Sequence, residues 1–205
     1  MVNTGILARR FWIFDLDGTL TQPQHDFKAI KRALGIPEDA DILHHLGQLS
    51  AHLADKKHEQ LDRIEIELAR QAQPAAGVKE LIATLAEAGV AMGVLTRNSK
   101  INAHIALEAI GLNDYFERRH ILGRHEVEPK PSPQGVTRLL EDWRVSAAQA
   151  LLVGDYLYDL QSARAAGSAA VHVDSSALFP WPEFTDLGVR DLAELRQLFI
   201  AAGTI

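Results

Sequence analysis

Short apolar runs rich in Val, Ile or Leu recur along this chain, and segments with helical spacing of apolar residues separate them. The five runs are Phe11 to Leu16, Val90 to Leu95, His120 to Leu122, Leu151 to Val153 and Ala170 to Val173. Strands that are apolar on both faces are typical of parallel sheets, in which helices cover the two sides. The pattern therefore predicts an α/β fold, with a Rossmann-like parallel sheet of about five strands and helices on both faces.

Residues 22–73 interrupt this alternation, because apolar residues fall there at helical spacing and no strand pattern is present. Each of three apolar stripes predicts one helix. The stripes are Phe27, Ile30 and Leu34; Ile42, Leu43, Leu46, Leu49 and Leu53; and Leu61, Ile64, Leu68 and Ala72. We therefore predict a core domain of residues 1–21 and 74–205, with a small all-helical cap domain of residues 22–73 inserted after the first strand.

The position of this insertion indicates a role. Ligands of open parallel sheets bind at the carboxyl ends of the strands, and the insertion begins at the carboxyl end of the first strand. The cap is therefore expected to cover a site at that edge. The alternative is a packing appendage that takes no part in chemistry.

Composition narrows the function classes. The chain has 21 Lys and Arg against 27 Asp and Glu, and a net charge of −6 argues against broad electrostatic binding of nucleic acid or an anionic membrane. It has no Cys, which excludes disulfides, thiolate metal sites and a cysteine nucleophile. With no apolar stretch near the roughly 18 residues of a membrane span, we expect a cytoplasmic protein. The oligomeric state stays open.

Histidines in the predicted cap are candidate metal ligands. His44, His45 and His52 fall in the second predicted helix, and His58 follows soon after. Helical ligand pairs usually stand three or four residues apart, because that spacing places both side chains on one face. These spacings differ, so we predict no histidine metal site.

Carboxylates follow two of the predicted strands. Asp15 and Asp17 come where the first strand ends, and an extended backbone directs side chains two residues apart to the same side. Asp155 follows the fourth strand, and Asp159 lies one helical turn later. Carboxylates about 4 Å apart repel by roughly 1 kcal/mol in water and roughly 4 at an effective dielectric near 20, so their convergence requires a cation. Oxygen-only ligands favour Mg²⁺.

Two further strand ends carry groups suited to an anion. The Thr96 hydroxyl and the backbone amide of Arg97 follow the second strand and are donors for a phosphate oxygen. Lys130 stands between Pro129 and Pro131, which stiffen the backbone around a cation. These groups indicate a phosphate-binding site.

In this order the motifs resemble those of the haloacid dehalogenase-like hydrolase superfamily, and the resemblance covers the whole chain. It points to the phosphatase branch with a class I helical cap. The motifs are Asp15-Leu16-Asp17-Gly18-Thr19, Thr96-Arg97-Asn98, Lys130-Pro131 with Ser132-Pro133, and Gly154-Asp155 through Asp159, Ala163 and Ala166-Gly167.

The resemblance implies a role for each motif residue. Asp15 is then the nucleophile and a Mg²⁺ ligand, and Asp17 is the general acid and base that also binds the metal through its backbone carbonyl. Thr96 and Lys130 are implied to be catalytic residues that hold the phosphoryl group, with Arg97 beside them. Asp155 is the remaining metal ligand, and Asp159 reaches the ion through water or orients its neighbours.

Two smaller residues of the first motif are expected to support the site. Gly18 permits a turn that a side chain would crowd. Thr19 is expected to support Asp17 or that turn by hydrogen bonding.

The implied function is a Mg²⁺-dependent phosphatase that hydrolyses small phosphorylated metabolites, phosphoglycolate-like or sugar phosphates, through an aspartyl-phosphate. Related dehalogenases and phosphonatases replace the second aspartate, and this chain keeps it as Asp17. A phosphomutase is an alternative, although such relatives commonly carry Glu where this chain has Gly154. A non-catalytic module that binds a phosphate ligand and regulates is the second alternative.

Overall fold

The strands form one parallel sheet at the centre of the molecule. A computed structural model describes residues 4–23 and 26–203, and within these the strand order is β3-β2-β1-β4-β5-β6. The strands are β1 (Phe11–Phe14), β2 (Ala91–Leu95), β3 (Ile121–Leu122), β4 (Ala150–Gly154), β5 (Ala169–Val173) and β6 (Leu187–Val189). The predicted Rossmann-like α/β class is confirmed.

Strand β1 pairs with β2 on one side and β4 on the other, in a register that matches Phe14 with both Val94 and Val153. Its alternating side chains feed two apolar layers. Trp12 and Phe14 enter the larger layer, and Ile13 enters the smaller one on the opposite face. A strand buried on both faces has this continuous apolar sequence.

Helices cover both faces of the sheet, as predicted. The helices are α4 (Val78–Glu87), α5 (Lys100–Ala109), α6 (Gln134–Trp143), α7 (Leu157–Ala165) and α8 (Leu192–Ala201). The cluster containing Trp12 includes apolar residues from α4, α5 and α8, and the cluster containing Ile13 includes apolar residues from α6 and α7.

The sheet differs from expectation at its ends. It has a sixth strand, Leu187–Val189, which the sequence pattern did not predict because it is three residues long and has glycine in its middle. The first strand ends at Phe14 rather than Leu16, so Asp15 lies immediately beyond the strand. Both differences leave the carboxyl edge of the sheet where it was predicted.

Helices also occupy the segment between β1 and α4, and they share an apolar cluster of their own. They are α1 (Phe27–Leu34), α2 (Ile42–Gly47) and α3 (Ala51–Arg70). Ile30, Leu34, Ile36, Leu46 and Leu61 form the buried part of the cluster. The division into core and cap at residues 22 and 73 stays a prediction.

One helix assignment in this segment was wrong. The stripe from Ile42 to Leu53 predicted one helix, but α2 ends at Gly47 and α3 begins at Ala51, with Ser50 at its N-cap in an extended conformation. His52 therefore belongs to α3 and not to the helix of His44 and His45. Among the described residues, none of the helices has the length and apolar character that a bilayer crossing requires.

Candidate active site

The predicted site residues lie in one cleft between the carboxyl edge of the sheet and helices α1 to α3. The cleft has a volume of about 490 Å³. Parallel strands β1, β2 and β4 end side by side, so the residues that follow them meet at its floor. The residues brought together there are Asp15, Asp17, Thr96, Arg97, Lys130, Asp155 and Asp159.

Three carboxylates and one ammonium form the centre of the floor. Oxygen atoms of Asp15, Asp155 and Asp159 all lie within 4.8 Å of one another. The Nζ atom of Lys130 lies 2.5 Å from Oδ1 of Asp15 and 2.5 Å from Oδ1 of Asp159. Because Lys130 is almost fully buried, this pairing is what keeps its charge stable. Burial alone lowers the pKa of Lys130, but the two carboxylates raise it above its ordinary value.

Burial also dominates the acidity of the carboxyl groups. It raises the pKa of Asp15, with Asp159 and Asp17 adding to the rise and Lys130 opposing it. It raises the pKa of Asp155, to which Asp15 and Asp159 add. It raises the pKa of Asp17 to about 7, with Lys130 opposing and Asp155 adding. Clustered, buried carboxyls of this kind fit a Mg²⁺ ion, which takes oxygen ligands and offsets their charge.

The turn after β1 packs against Asp155. Gly18 has φ +87°, and a Cβ atom there would lie 2.3 Å from Oδ2 of Asp155. Both the backbone conformation and the lack of space therefore require glycine. Thr19 donates a hydrogen bond of 3.3 Å to Oδ1 of Asp155. The prediction that Thr19 supports Asp17 or the turn missed this contact, because it depends on a residue 136 positions away.

Asn98 is a site residue that the sequence analysis did not assign. Its Nδ2 atom donates to Oδ2 of Asp17 at 2.7 Å, and its backbone N–H donates to the Thr96 hydroxyl at 3.1 Å. The signal was present in the third position of the Thr96-Arg97-Asn98 motif. Asn98 therefore joins the proposed acid and base to the loop that carries Thr96.

The side chain of Arg97 reaches across the cleft to the helices above it. Its Nη2 atom lies 2.8 Å from both carboxylate oxygens of Asp41, and its guanidinium carbon stands 4.9 Å from the centre of the Tyr158 ring. Asp41 is also the N-cap of α2, where it accepts from the backbone N–H of His44. The sequence had predicted only the backbone amide of Arg97 as a donor.

A second arginine ties α3 to the same loop. Arg124 is buried, and its guanidinium lies 2.5 Å from Asp62 and 2.8 Å from Glu65. Its backbone N–H donates to the carbonyl of Asn98 at 2.9 Å, and Nη1 donates to the carbonyl of Arg97 at 3.2 Å. Arg124 thus joins helix α3 to the loop after β2. No sequence motif predicted this role for Arg124.

Fold and site together define an enzyme of the Rossmann-like α/β class, with its reactive carboxylates at the strand ends beneath inserted helices. Residues 12–173 match the family model of the haloacid dehalogenase-like hydrolases, and the chain belongs to this family. It lies in the branch whose relatives are phosphoric monoester hydrolases.

Known relatives resemble most of the chain. An uncharacterized hydrolase of Saccharomyces cerevisiae is 27% identical over 91% of this chain and 88% of its own length. A phosphoglycolate phosphatase of Mesorhizobium japonicum is 27% identical over 90% of this chain and 88% of its own. The crystal structure of a hydrolase from Pseudomonas syringae matches 94% of this chain and 99% of its own with a TM-score of 0.77, at 22% identity. That structural match supports the fold.

Proposed function

We propose that this protein is a Mg²⁺-dependent phosphatase that hydrolyses small phosphorylated metabolites through an aspartyl-phosphate. The observation that carries the proposal is the arrangement of Lys130 between Asp15 and Asp159, with Thr96 and Asp17 in the same cleft. A carboxylate nucleophile, a buried cation and a group of raised pKa are the parts that phosphoryl transfer requires. The related phosphoglycolate phosphatase supports the reaction type, hydrolysis of a phosphate monoester.

In the first half of the reaction, an oxygen of Asp15 attacks phosphorus and the bond from phosphorus to the leaving oxygen breaks. Asp17 gives its carboxyl proton to that oxygen, and its pKa of about 7 leaves a proton available near neutral pH. Lys130 and the Thr96 hydroxyl hold the phosphoryl oxygens during the transfer. The products are an alcohol and the phosphorylated Asp15.

In the second half, the Asp17 carboxylate removes a proton from water, whose oxygen attacks phosphorus. The bond to Asp15 breaks and inorganic phosphate leaves, which restores both residues. When bound, Mg²⁺ supplies positive charge against the phosphoryl oxygens. Asp15, Asp155 and the backbone carbonyl of Asp17 would hold it, with Asp159 beside them.

The phosphomutase alternative is disfavoured by the space at Gly154. A Cβ atom built at this position would lie 2.3 Å from the Cβ of Asp159, so the glutamate that is common in related mutases has no room. The chain therefore lacks the glutamate of the Glu-Asp pair that such mutases commonly carry.

The test is phosphate release from phenyl phosphate, with Mg²⁺ or with EDTA, by the wild type, Asp15→Asn and the exposed control Asp114→Asn. We expect Asp15→Asn to lower kcat at least about 10³-fold, as loss of a nucleophile does. The control should retain wild-type turnover. Unchanged turnover in Asp15→Asn would reject the nucleophile. Lack of release from a metabolite panel in saturating Mg²⁺ would favour a regulatory module.

A further inference from the structure

The part of the cleft above the phosphoryl-binding groups has a largely apolar wall. Apolar side chains from α1, α2 and α3 line it, together with two tyrosines at the start of α7. These residues are Phe27, Ile30, Ile42, Leu43, Leu61, Tyr156 and Tyr158. A leaving group bound to the phosphoryl site lies among these side chains.

The charges of the same region are mostly paired. The floor of the cleft carries the charges of Asp15, Asp17, Lys130, Asp155 and Asp159. The other described charged residues that line the cleft are Lys31, Asp39, Asp41, Glu65 and Arg97. Glu65 is paired with buried Arg124, and Asp41 is paired with Arg97. The Nζ atom of Lys31 donates to the carbonyl of Glu38 at 2.7 Å and keeps its positive charge. The charge of Lys31 is opposed by that of Asp39, so the region offers an anion little net attraction.

Arg97 lines this region and directly follows Thr96 in the loop. An arginine at this point is well placed to bind a carboxylate, and Asp41 already occupies that role at 2.8 Å through both oxygens. Tyr158 holds the guanidinium from another side. Burial alone would raise the pKa of Asp41. The backbone N–H of His44 and the Arg97 guanidinium outweigh burial and hold that pKa below its usual range. Asp41 therefore stays charged.

We propose that Asp41 is a specificity-determining residue: by neutralising Arg97, it excludes phosphate esters whose leaving group carries a carboxylate and selects uncharged leaving groups with an apolar face. This inference rests on the proposed phosphatase function. A carboxylate entering the region must displace Asp41 from Arg97, or rely on Lys31 alone in a region that Asp39 and Asp41 also line. An uncharged ring or hydrocarbon meets neither obstacle and packs on the apolar wall.

The substitution Asp41→Asn tests this directly. Asparagine is as good an N-cap as aspartate, so α2 keeps its cap while Arg97 loses its counter-charge. The matched control is Asp26→Asn, the same change at the N-cap of α1, where Asp26 accepts from the backbone N–H of Ala29 and does not line the cleft. Both variants are compared with the wild type as full chains in Mg²⁺.

The measured quantity is the ratio of kcat/KM for phenyl phosphate to kcat/KM for 2-phosphoglycolate. We expect a wild-type ratio above one, which Asp41→Asn lowers at least about fivefold through a smaller KM for 2-phosphoglycolate, the scale of one partly exposed ion pair. Asp26→Asn should leave the ratio unchanged. The double variant Asp41→Asn/Arg97→Gln should abolish the gain, because no guanidinium remains to accept the carboxylate.

A wild type that prefers 2-phosphoglycolate, or an Asp41→Asn variant with the wild-type ratio, overturns the inference. Calorimetric Kd values for the two esters, measured in the Asp15→Asn background with and without Asp41→Asn, separate it from the proposed function. Lack of turnover with every ester counts against the phosphatase function alone. The Kd ratio then still decides the role of Asp41: a fivefold shift supports it, and an unchanged ratio rejects it.

Discussion

The Nδ2 atom of Asn98 lies 2.7 Å from Oδ2 of Asp17, so the proposed acid and base is oriented by the residue two positions after Thr96. The backbone N–H of Asn98 in turn donates to the Thr96 hydroxyl. One asparagine therefore sets the distance between a group that moves protons and a group that holds the phosphoryl oxygens.

Removal of this side chain should lower the rate and leave the fold intact. Asn98→Ala deletes a hydrogen bond to a charged group, which is worth about 1.5–3 kcal/mol, so kcat should fall by about 10- to 100-fold. Steady-state phosphate release measures the effect, and thermal unfolding checks the fold. Wild-type kcat in a folded Asn98→Ala protein would contradict the assigned contact.

Loss of the Lys130 ammonium should destabilise the metal-free protein. Lys130→Met leaves Asp15 and Asp159 buried without their shared cation, and breaking a buried pair typically costs about 3–5 kcal/mol. Urea unfolding in EDTA measures the free energy of unfolding, with exposed Lys79→Met as the control. Mg²⁺ should recover part of the lost stability. Equal unfolding midpoints for Lys130→Met and Lys79→Met would argue against the pairing.

The raised carboxyl pKa values predict how stability depends on pH. Asp17 has a pKa of about 7 in the folded protein against an ordinary value of 3.8, so between these values the folded state holds more protons than the unfolded state. The contribution of such a group to stability is therefore lost as pH rises from 4 to 7, by up to about 1.4 kcal/mol per pH unit. Asp15 and Asp155 act in the same direction.

Thermal unfolding in EDTA across this pH range checks the sign, and Asp17→Asn should flatten the dependence. Added Mg²⁺ should stabilise the protein more at pH 8 than at pH 5, because protons compete with the ion for the same carboxylates. A slope that is the same in the wild type and in Asp17→Asn would show that Asp17 titrates normally.

A side chain at position 18 should destabilise the protein more by its clash with Asp155 than by the strain of its backbone conformation. Gly18→Ala forces a side chain into the left-handed region and onto Asp155, whereas Gly35→Ala has a similar positive φ and only the Lys57 Nζ atom, at 3.8 Å. Gly35→Ala should lower the free energy of unfolding by about 1–2 kcal/mol, and Gly18→Ala by clearly more. Urea unfolding compares the two, and equal losses would mean that Asp155 moves aside freely.

Much of the fold could be predicted from the sequence because apolar residues are spaced differently in strands and in helices. The buried runs identified β1 to β5, since each is apolar along its length apart from His172 in β5. The sixth strand, Leu187–Val189, was missed because three residues do not establish a period. The break between α2 and α3 was missed because Leu46, Leu49 and Leu53 keep helical spacing across it. Gly47 at the end of α2 and Ser50 at the N-cap of α3 were the local signals.

The site was predictable where a strand end fixes the position of a residue. Asp15, Thr96 and Asp155 follow adjacent parallel strands, so topology alone brings them together. The contacts of Arg97 with Asp41, and of Arg124 with Glu65, were not predictable. They depend on how the inserted helices rest on the core, and no period or spacing in the sequence encodes that placement.

The buried position of Arg124 constrains how the cleft can exchange its contents. Lifting α3 from the core would leave Asp62, Glu65 and a guanidinium without their mutual neutralisation, a penalty that would recur in every catalytic cycle. The Arg97 and Asp41 side chains are about 30% exposed, so separating them costs much less free energy. Entry of reactant and escape of product are therefore expected to proceed by separation of the Arg97 and Asp41 side chains, while Arg124 keeps α3 on the core and the shared apolar cluster keeps α1 and α2 on α3.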